Sequence, residues 1–172
     1  STGATLATWL ATTPEGSKVA AHAMMSPNFG PKDTRADIMN GPWGKNIAYA
    51  MIGETRGWTP EDKEEANAWT TSYPTRSLFP MMALVKHVRE SDLSSFKAPV
   101  IMFYSEKDAV VEPMQAKAAL ERFGSTTKSM EAISYSTDQS QHMLASGLKS
   151  PTSVAPLAEA ITKWVKALPN QS

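Results

Sequence analysis

From Lys97 to the end of the chain, apolar strand patterns alternate with helix patterns, and this alternation is the strongest constraint on the fold. Residues 99–104 (Pro-Val-Ile-Met-Phe-Tyr) are apolar on both faces, as in a central parallel strand. Residues 113–123 have a helix pattern, residues 128–135 a second strand pattern, and residues 154–168 the pattern of an amphipathic helix. Strands that alternate with helices predict an α/β fold, with a parallel sheet and flanking helices.

The N-terminal part predicts one more helix and one more strand of the same sheet. Residues 4–11 favour a short helix, and we expect Leu6, Trp9 and Leu10 to pack it against the rest of the protein. Residues 19–25 are mainly apolar and predict a buried strand.

Residues 30–95 differ in composition from both flanks, and we name them the cap segment. They contain five prolines and three tryptophans, but no regular alternation of apolar and polar residues. Thr59, followed by proline and acidic residues, predicts the N-cap of a helix, and residues 78–88 predict an apolar helix. The sequence therefore predicts a helical insertion between two parts of one core, residues 1–29 and 96–172.

Composition and charge exclude several classes of function. The 172-residue chain carries 17 basic and 17 acidic residues, so neither nucleic acid nor an anionic membrane surface is an expected partner. The absence of cysteine excludes thiol catalysis and cysteine-based zinc sites. No apolar stretch approaches the roughly 18 residues of a membrane span. The compartment and the oligomeric state stay open.

Two polar residues follow the C-terminal strand patterns, at the edge of a parallel sheet where ligands bind. Asp108 follows the pattern at 99–104, and His142 follows the next one. The chain opens at Ser1 with Ser-Thr-Gly-Ala, which matches the second half of the nucleophile elbow Gly-x-Ser-x-Gly. A serine hydroxyl becomes an effective nucleophile when an imidazole takes its proton and a buried carboxylate orients that imidazole. The order Ser1, Asp108, His142 therefore predicts a catalytic triad.

In these residues, and in the segment 97–108, the chain resembles the C-terminal half of an α/β-hydrolase. It is similar to the esterase and lysophospholipase-like members, and the resemblance covers nearly the whole chain, with the cap segment as the cap. The resemblance implies that Ser1 is the nucleophile, Asp108 the acid and His142 the base. The backbone N–H of Thr2 is then one oxyanion donor. The implied function is hydrolysis of carboxylic esters, acyl or lipid-like, through an acyl-serine intermediate, with no cofactor and no metal.

The resemblance also implies that the strands preceding the nucleophile lie on a companion N-terminal polypeptide of the same precursor. At about 30 residues per βαβ unit, that part would hold roughly 100 residues or more. We expect it to cover an apolar sheet edge, either at residues 99–104 or at the neighbouring strand. Because a nucleophile elbow strains its serine backbone, we also expect the hydroxyl of Ser1 to cut the preceding peptide bond itself.

Several alternatives stay open at this point. Asp138, in the loop that carries His142, competes with Asp108 as the acid. The amine of Ser1 could serve as the base of an N-terminal-nucleophile amidase, a class that needs a strand at the chain start. The chain could also be a non-catalytic binding fragment. His22 and His87 are interpreted as packed or solvated side chains.

Overall fold

The structure, a computed structural model, describes residues 1–169. Its helices are α1 (Thr2–Ala11), α2 (Gly44–Ile52), α3 (Lys63–Ala68), α4 (Leu78–Glu90), α5 (Pro113–Arg122) and α6 (Val154–Ala167). Its strands are β1 (His22–Met25), β2 (Thr55–Gly57), β3 (Ser72–Pro74), β4 (Val100–Tyr104) and β5 (Lys128–Ala132). The strands β1, β4 and β5 form a parallel sheet in the order β1-β4-β5, so the predicted α/β fold class is confirmed.

Strand β4 is the centre of the sheet and divides the protein interior into two cores. Successive side chains of a strand point to opposite faces. Val100 and Met102 accordingly lie in one core, and Ile101 and Phe103 lie in the other. The first core is completed by side chains of α1, α4 and α5: Ala11, Val88, Ala116, Ala119 and Leu120. The second core is completed by Ile133, Leu144 and, from α6, Leu157. Burial on both faces explains why the sequence of β4 is apolar throughout.

The two edges of this sheet differ in character. The edge strand β5 exposes Lys128 and Glu131, charged residues that discourage further strand pairing. On the other edge, β1 exposes Met25, whose side chain is 43% accessible. The N–H of His22 donates to the carbonyl of Pro99 in the connection before β4. Since backbone groups alternate sides along a strand, those of Met25 face away from β4, and β1 forms an apolar outer edge of the sheet.

Helix α1 forms as predicted, but its expected packing is wrong. Leu6, Trp9 and Leu10 are 51%, 41% and 38% exposed. The helix instead buries Thr5 and Thr8, and the Thr5 hydroxyl donates to the backbone carbonyl of Asn28. The three large apolar side chains occupy the other face of the helix, because positions three and four residues apart lie on the same side.

The cap segment contains the helices α2, α3 and α4, but also an antiparallel pair of strands that the sequence did not predict. In this β2–β3 pair, Arg56 lies opposite Tyr73. Thr75 closes the base of the pair: its N–H donates to the carbonyl of Glu54 at 2.8 Å, and its hydroxyl donates to that of Gly53 at 2.6 Å. Each strand has only three residues, too few for an alternating pattern to be visible in sequence.

The helix predicted to start after Thr59 begins later. Asp62 is the N-cap of α3, and its carboxylate accepts a hydrogen bond from the N–H of Glu65 at 2.8 Å. An aspartate side chain satisfies the free N–H groups of a first helical turn, and this cap replaces the expected threonine cap. Within residues 1–169, no helix has the length and apolar character needed to cross a membrane.

Candidate active site

A direct hydrogen bond joins two of the predicted site residues beyond the carboxyl end of the central strand. The His142 Nδ1 atom lies 2.9 Å from Asp108 Oδ2. The other carboxylate oxygen, Oδ1, accepts hydrogen bonds from the N–H groups of Val110 at 2.8 Å and Val111 at 3.0 Å. Asp108 is 2% exposed, so these three contacts replace the water that its charge would otherwise require. A neutral imidazole that donates from Nδ1 keeps its lone pair on Nε2, the arrangement of a general base.

Asp138 binds the backbone of the same loop. Its Oδ2 atom accepts from the N–H of His142 and from that of Met143, each at 3.0 Å. Burial raises the pKa of Asp138, but hydrogen bonds from Ser140, Met143 and His142 outweigh it, and the net pKa lies below the usual value. Asp138 thus shapes the loop, and Asp108 contacts the imidazole ring.

Ser26 is a site residue that sequence reasoning missed. It directly follows β1, and its hydroxyl donates to the carbonyl of His142 at 2.7 Å. Its φ of 42° lies in the left-handed region, which non-glycine residues rarely adopt, and the residue is 2% exposed. The sequence could have indicated Ser26, because it is a polar residue directly after a predicted strand, which is the criterion that identified Asp108.

Ser1 occupies the N-cap of α1. Its carbonyl accepts hydrogen bonds from the N–H of Ala4 at 3.0 Å and of Asn28 at 3.3 Å. Its backbone nitrogen donates to the carbonyl of Met25 at 2.9 Å, on the outer edge of β1. Thr2 is the first residue of the helix, where N–H groups have no acceptor within the helix and the helix dipole favours negative charge.

Ser1 and His142 line one cavity of about 390 Å³, which we name the nucleophile cavity. Ser26 also lines it, whereas Asp108 does not and contacts the ring of His142. The structure therefore places Ser1 and His142 on one cavity and Asp108 on the ring of His142, and the roles of the three residues stay a prediction.

His22, which the sequence interpreted as packed or solvated, is packed and also lines the nucleophile cavity. It is 9% exposed, and its ring meets Phe96 edge to face at 4.8 Å between centroids. Burial lowers the pKa of His22, and among the described residues its Nε2 atom has no hydrogen-bond partner. His87 lies away from this cavity, exposed on α4.

A second cavity, of about 610 Å³, lies between the cap segment and the core, and we name it the cap cavity. Ser1 and Thr2 line it from the core side. The cap segment supplies mainly apolar side chains, among them Ile38, Met39, Ile47, Met51 and Met81. Ser1 thus lies at the boundary of both cavities.

An ion pair ties the cap segment to the loop that follows His142. The Lys149 ammonium contacts the carboxylate of Glu65 on α3, and it lies 3.0 Å from Glu61 Oε2. Glu65 is buried, and its pKa lies below the usual value, mainly because Lys149 donates a hydrogen bond to it.

The chain start does not fit an N-terminal-nucleophile hydrolase. That class needs a strand whose first residue is the nucleophile, whereas the residues after Ser1 form α1. The geometry resembles a strand-to-helix elbow, in which the serine immediately precedes the helix.

No protein-family model and no curated protein matches the chain. Solved structures do match it. A soluble variant of monoglyceride lipase from Saccharomyces cerevisiae aligns with a TM-score of 0.67 at 12% identity, over 96% of this chain and 62% of that one. The monoacylglycerol lipase of Paleococcus ferrophilus aligns with a TM-score of 0.63 at 13% identity, over 95% of this chain and 64% of that one. A structure from work on LipS and LipT, two metagenome-derived lipolytic enzymes, aligns with a TM-score of 0.63 at 16% identity. The alignment covers 96% of this chain and 62% of that one.

The chain spans about three fifths of the length of these structures. Over that shared part it has the α/β-hydrolase fold, as its sequence predicted.

Proposed function

We propose that the chain carries the catalytic triad of a carboxylic ester hydrolase, with Ser1 as nucleophile, His142 as base and Asp108 as acid. The observation that carries this proposal is the 2.9 Å contact between His142 Nδ1 and Asp108 Oδ2, beside a cavity that His142 shares with Ser1. The lipolytic enzymes with the same fold support the choice of an ester as substrate.

The proposed reaction proceeds through an acyl-serine intermediate. His142 Nε2 takes the proton from Ser1 Oγ as Oγ forms a bond to the ester carbonyl carbon, and the carbonyl oxygen becomes an oxyanion that accepts from the N–H of Thr2. The carbon–oxygen bond to the alcohol then breaks, and the alcohol leaves with the proton held on His142. Water repeats the sequence: His142 takes its proton, the hydroxide attacks the acyl carbon, and Ser1 Oγ leaves with that proton. Asp108 stays ionised throughout and stabilises the imidazolium.

We propose that the cap segment covers the reacting serine and holds the non-reacting part of the ester. The cap cavity supports this role, because it joins apolar cap side chains to Ser1 and Thr2. Small-molecule sites have this composition, mostly apolar with a few placed polar groups.

We further propose that a companion N-terminal polypeptide of the same precursor supplies a strand parallel to β1. The exposed side chains of Met25 on the outer edge of β1 and of Leu6 and Trp9 on α1 support such a partner. A partner strand would satisfy that edge and bury those side chains.

The isolated 172-residue chain is expected to self-associate and to bind a hydrophobic dye, since its β1 edge and α1 face are apolar. Gel filtration and dye fluorescence, with and without the companion, measure this. Adding Leu6→Lys and Met25→Lys should reduce self-association of the isolated chain. A monodisperse, cooperatively melting isolated chain would contradict the proposal.

Self-cleavage before Ser1 stays a prediction of the sequence. In a precursor with Ser1→Ala, the bond should remain intact by mass spectrometry, whereas Ser1→Cys should still permit cutting. Equal cleavage of the alanine precursor would exclude Ser1 as the cutting group.

A fluorophosphonate probe tests the proposed nucleophile directly, because it reacts with activated serines. In the intact protein, with any polypeptide that copurifies, we expect labelling of Ser1 located by peptide mass spectrometry. Exposed Ser17 serves as the internal control and should stay unlabelled. Absence of labelling at Ser1 would favour the non-catalytic binding fragment.

A further inference from the structure

Two polar side chains that line the cap cavity, those of Arg56 and Tyr73, have no part in the proposed reaction. Arg56 and Tyr73 lie opposite each other on β2 and β3, and both line the cavity. Side chains directly opposite in an antiparallel pair project from the same face of the ladder. A guanidinium and a phenol hydroxyl therefore share one side of a pair whose base is tied by Thr75.

Among the described residues that line the cap cavity, Arg56 is a cation whose charge is not balanced by a paired carboxylate. Asp33 is the acidic residue among the described residues that line the cavity, and it is paired with Arg35. Arg35 Nη2 lies 2.7 Å from Asp33 Oδ2, and Arg35 Nε lies 2.9 Å from Asp33 Oδ1. Within residues 1–169, Arg56 makes no ion pair.

We propose that the substrate is an ester whose acyl chain ends in a carboxylate, and that Arg56 and Tyr73 bind that carboxylate. This inference rests on the proposed function, because Ser1 must be the group that attacks the ester. Apolar side chains of the cap cavity, among them Ile38, Met51 and Met81, contact the methylene chain between the ester group and the carboxylate. Guanidinium groups match the planar, two-oxygen geometry of a carboxylate, and the phenol can donate a further hydrogen bond.

Two esters with acyl chains of equal length test the inference: p-nitrophenyl octanoate, which is neutral, and mono-p-nitrophenyl suberate, which ends in a carboxylate. The measured quantity is the ratio of kcat/KM for the anionic ester to that for the neutral ester. Arg56→Gln is expected to lower this ratio about tenfold, mainly through KM, because it removes a charge-assisted hydrogen bond. Tyr73→Phe should lower it by a smaller factor. Added salt should lower it in the parent protein.

Arg76→Gln is the matched control. Arg76 also belongs to the cap segment and is exposed, but it does not line the cap cavity, and its replacement removes the same charge. We expect it to leave the ratio unchanged. Melting curves of Arg56→Gln and Arg76→Gln report on folding, and the rate on the neutral ester serves as the reference within each variant.

The possible failures are distinguishable. An unchanged ratio in Arg56→Gln, with both esters hydrolysed, would overturn the carboxylate inference and leave the proposed function standing. Failure to hydrolyse either ester, together with no fluorophosphonate labelling of Ser1, would overturn both.

Discussion

Replacing His142 with alanine is expected to lower kcat for a neutral ester about 10⁶-fold, as loss of the base does in serine hydrolases. Without the imidazole, the Ser1 hydroxyl keeps its proton and is a weak nucleophile. Asp108 is not expected to replace the base, because it does not itself line the nucleophile cavity that Ser1 and His142 share. Initial rates of p-nitrophenyl octanoate hydrolysis at saturating ester measure the loss, and fluorophosphonate labelling of Ser1 should disappear with it.

His87→Ala provides the matched control for that experiment. His87 is exposed on α4 and lines neither cavity around Ser1, so its loss should leave kcat unchanged. A His142→Ala variant that kept a tenth or more of the parent activity would exclude His142 as the base.

Asp108→Asn is expected to lower kcat about 10⁴-fold, by analogy with wrong-tautomer triads. The amide that replaces the carboxylate can donate to Nδ1 of His142, which places the ring proton on Nε2 and removes the lone pair that must face Ser1. The pocket for the side chain is preserved, so the effect falls on the chemistry more than on folding. Steady-state kinetics with a melting curve for each variant separate the two.

Asp138→Asn is the informative comparison, because the sequence alone left Asp138 and Asp108 as rival acids. An asparagine at position 138 can still accept hydrogen bonds from the N–H groups of His142 and Met143. We therefore expect a much smaller loss than in Asp108→Asn. If Asp138→Asn were severe and Asp108→Asn nearly silent, the assignment of the acid would be wrong.

The parts of the fold that the sequence predicted are those whose signals are local. The apolar run of β4 and the proline and acid at the start of α5 each specify an element within a few residues. The chain order of Ser1, Asp108 and His142 then constrained the site, because parallel strands bring their carboxyl ends to one edge.

The features that sequence did not predict depend on distant partners. Which face of α1 is buried depends on the helices and strands packed around it, and periodicity does not choose between Thr5 and Leu6. The β2–β3 pair is closed by Thr75 across the cap segment, and its strands are too short to signal themselves. The position of Ser26 after β1 could be inferred from the sequence, but its hydrogen bond to the carbonyl of His142 depends on how the loop of His142 folds onto it.

Under the proposed function, the ion pair of Lys149 with Glu65 limits the paths by which an ester can reach Ser1. Lifting α3 away would separate Glu65 from Lys149 and break this largely desolvated ion pair. Because the pKa of Glu65 is lowered, this restraint is present above its ordinary pKa and is lost only as the pH falls through the lowered value. Helix α3 contributes no residue to the lining of the cap cavity among the residues described, whereas α2 contributes Ile47 and Met51. Under the proposed function, we therefore expect substrate exchange at Ser1 to depend on α2 more than on α3, which is tied to the loop of His142.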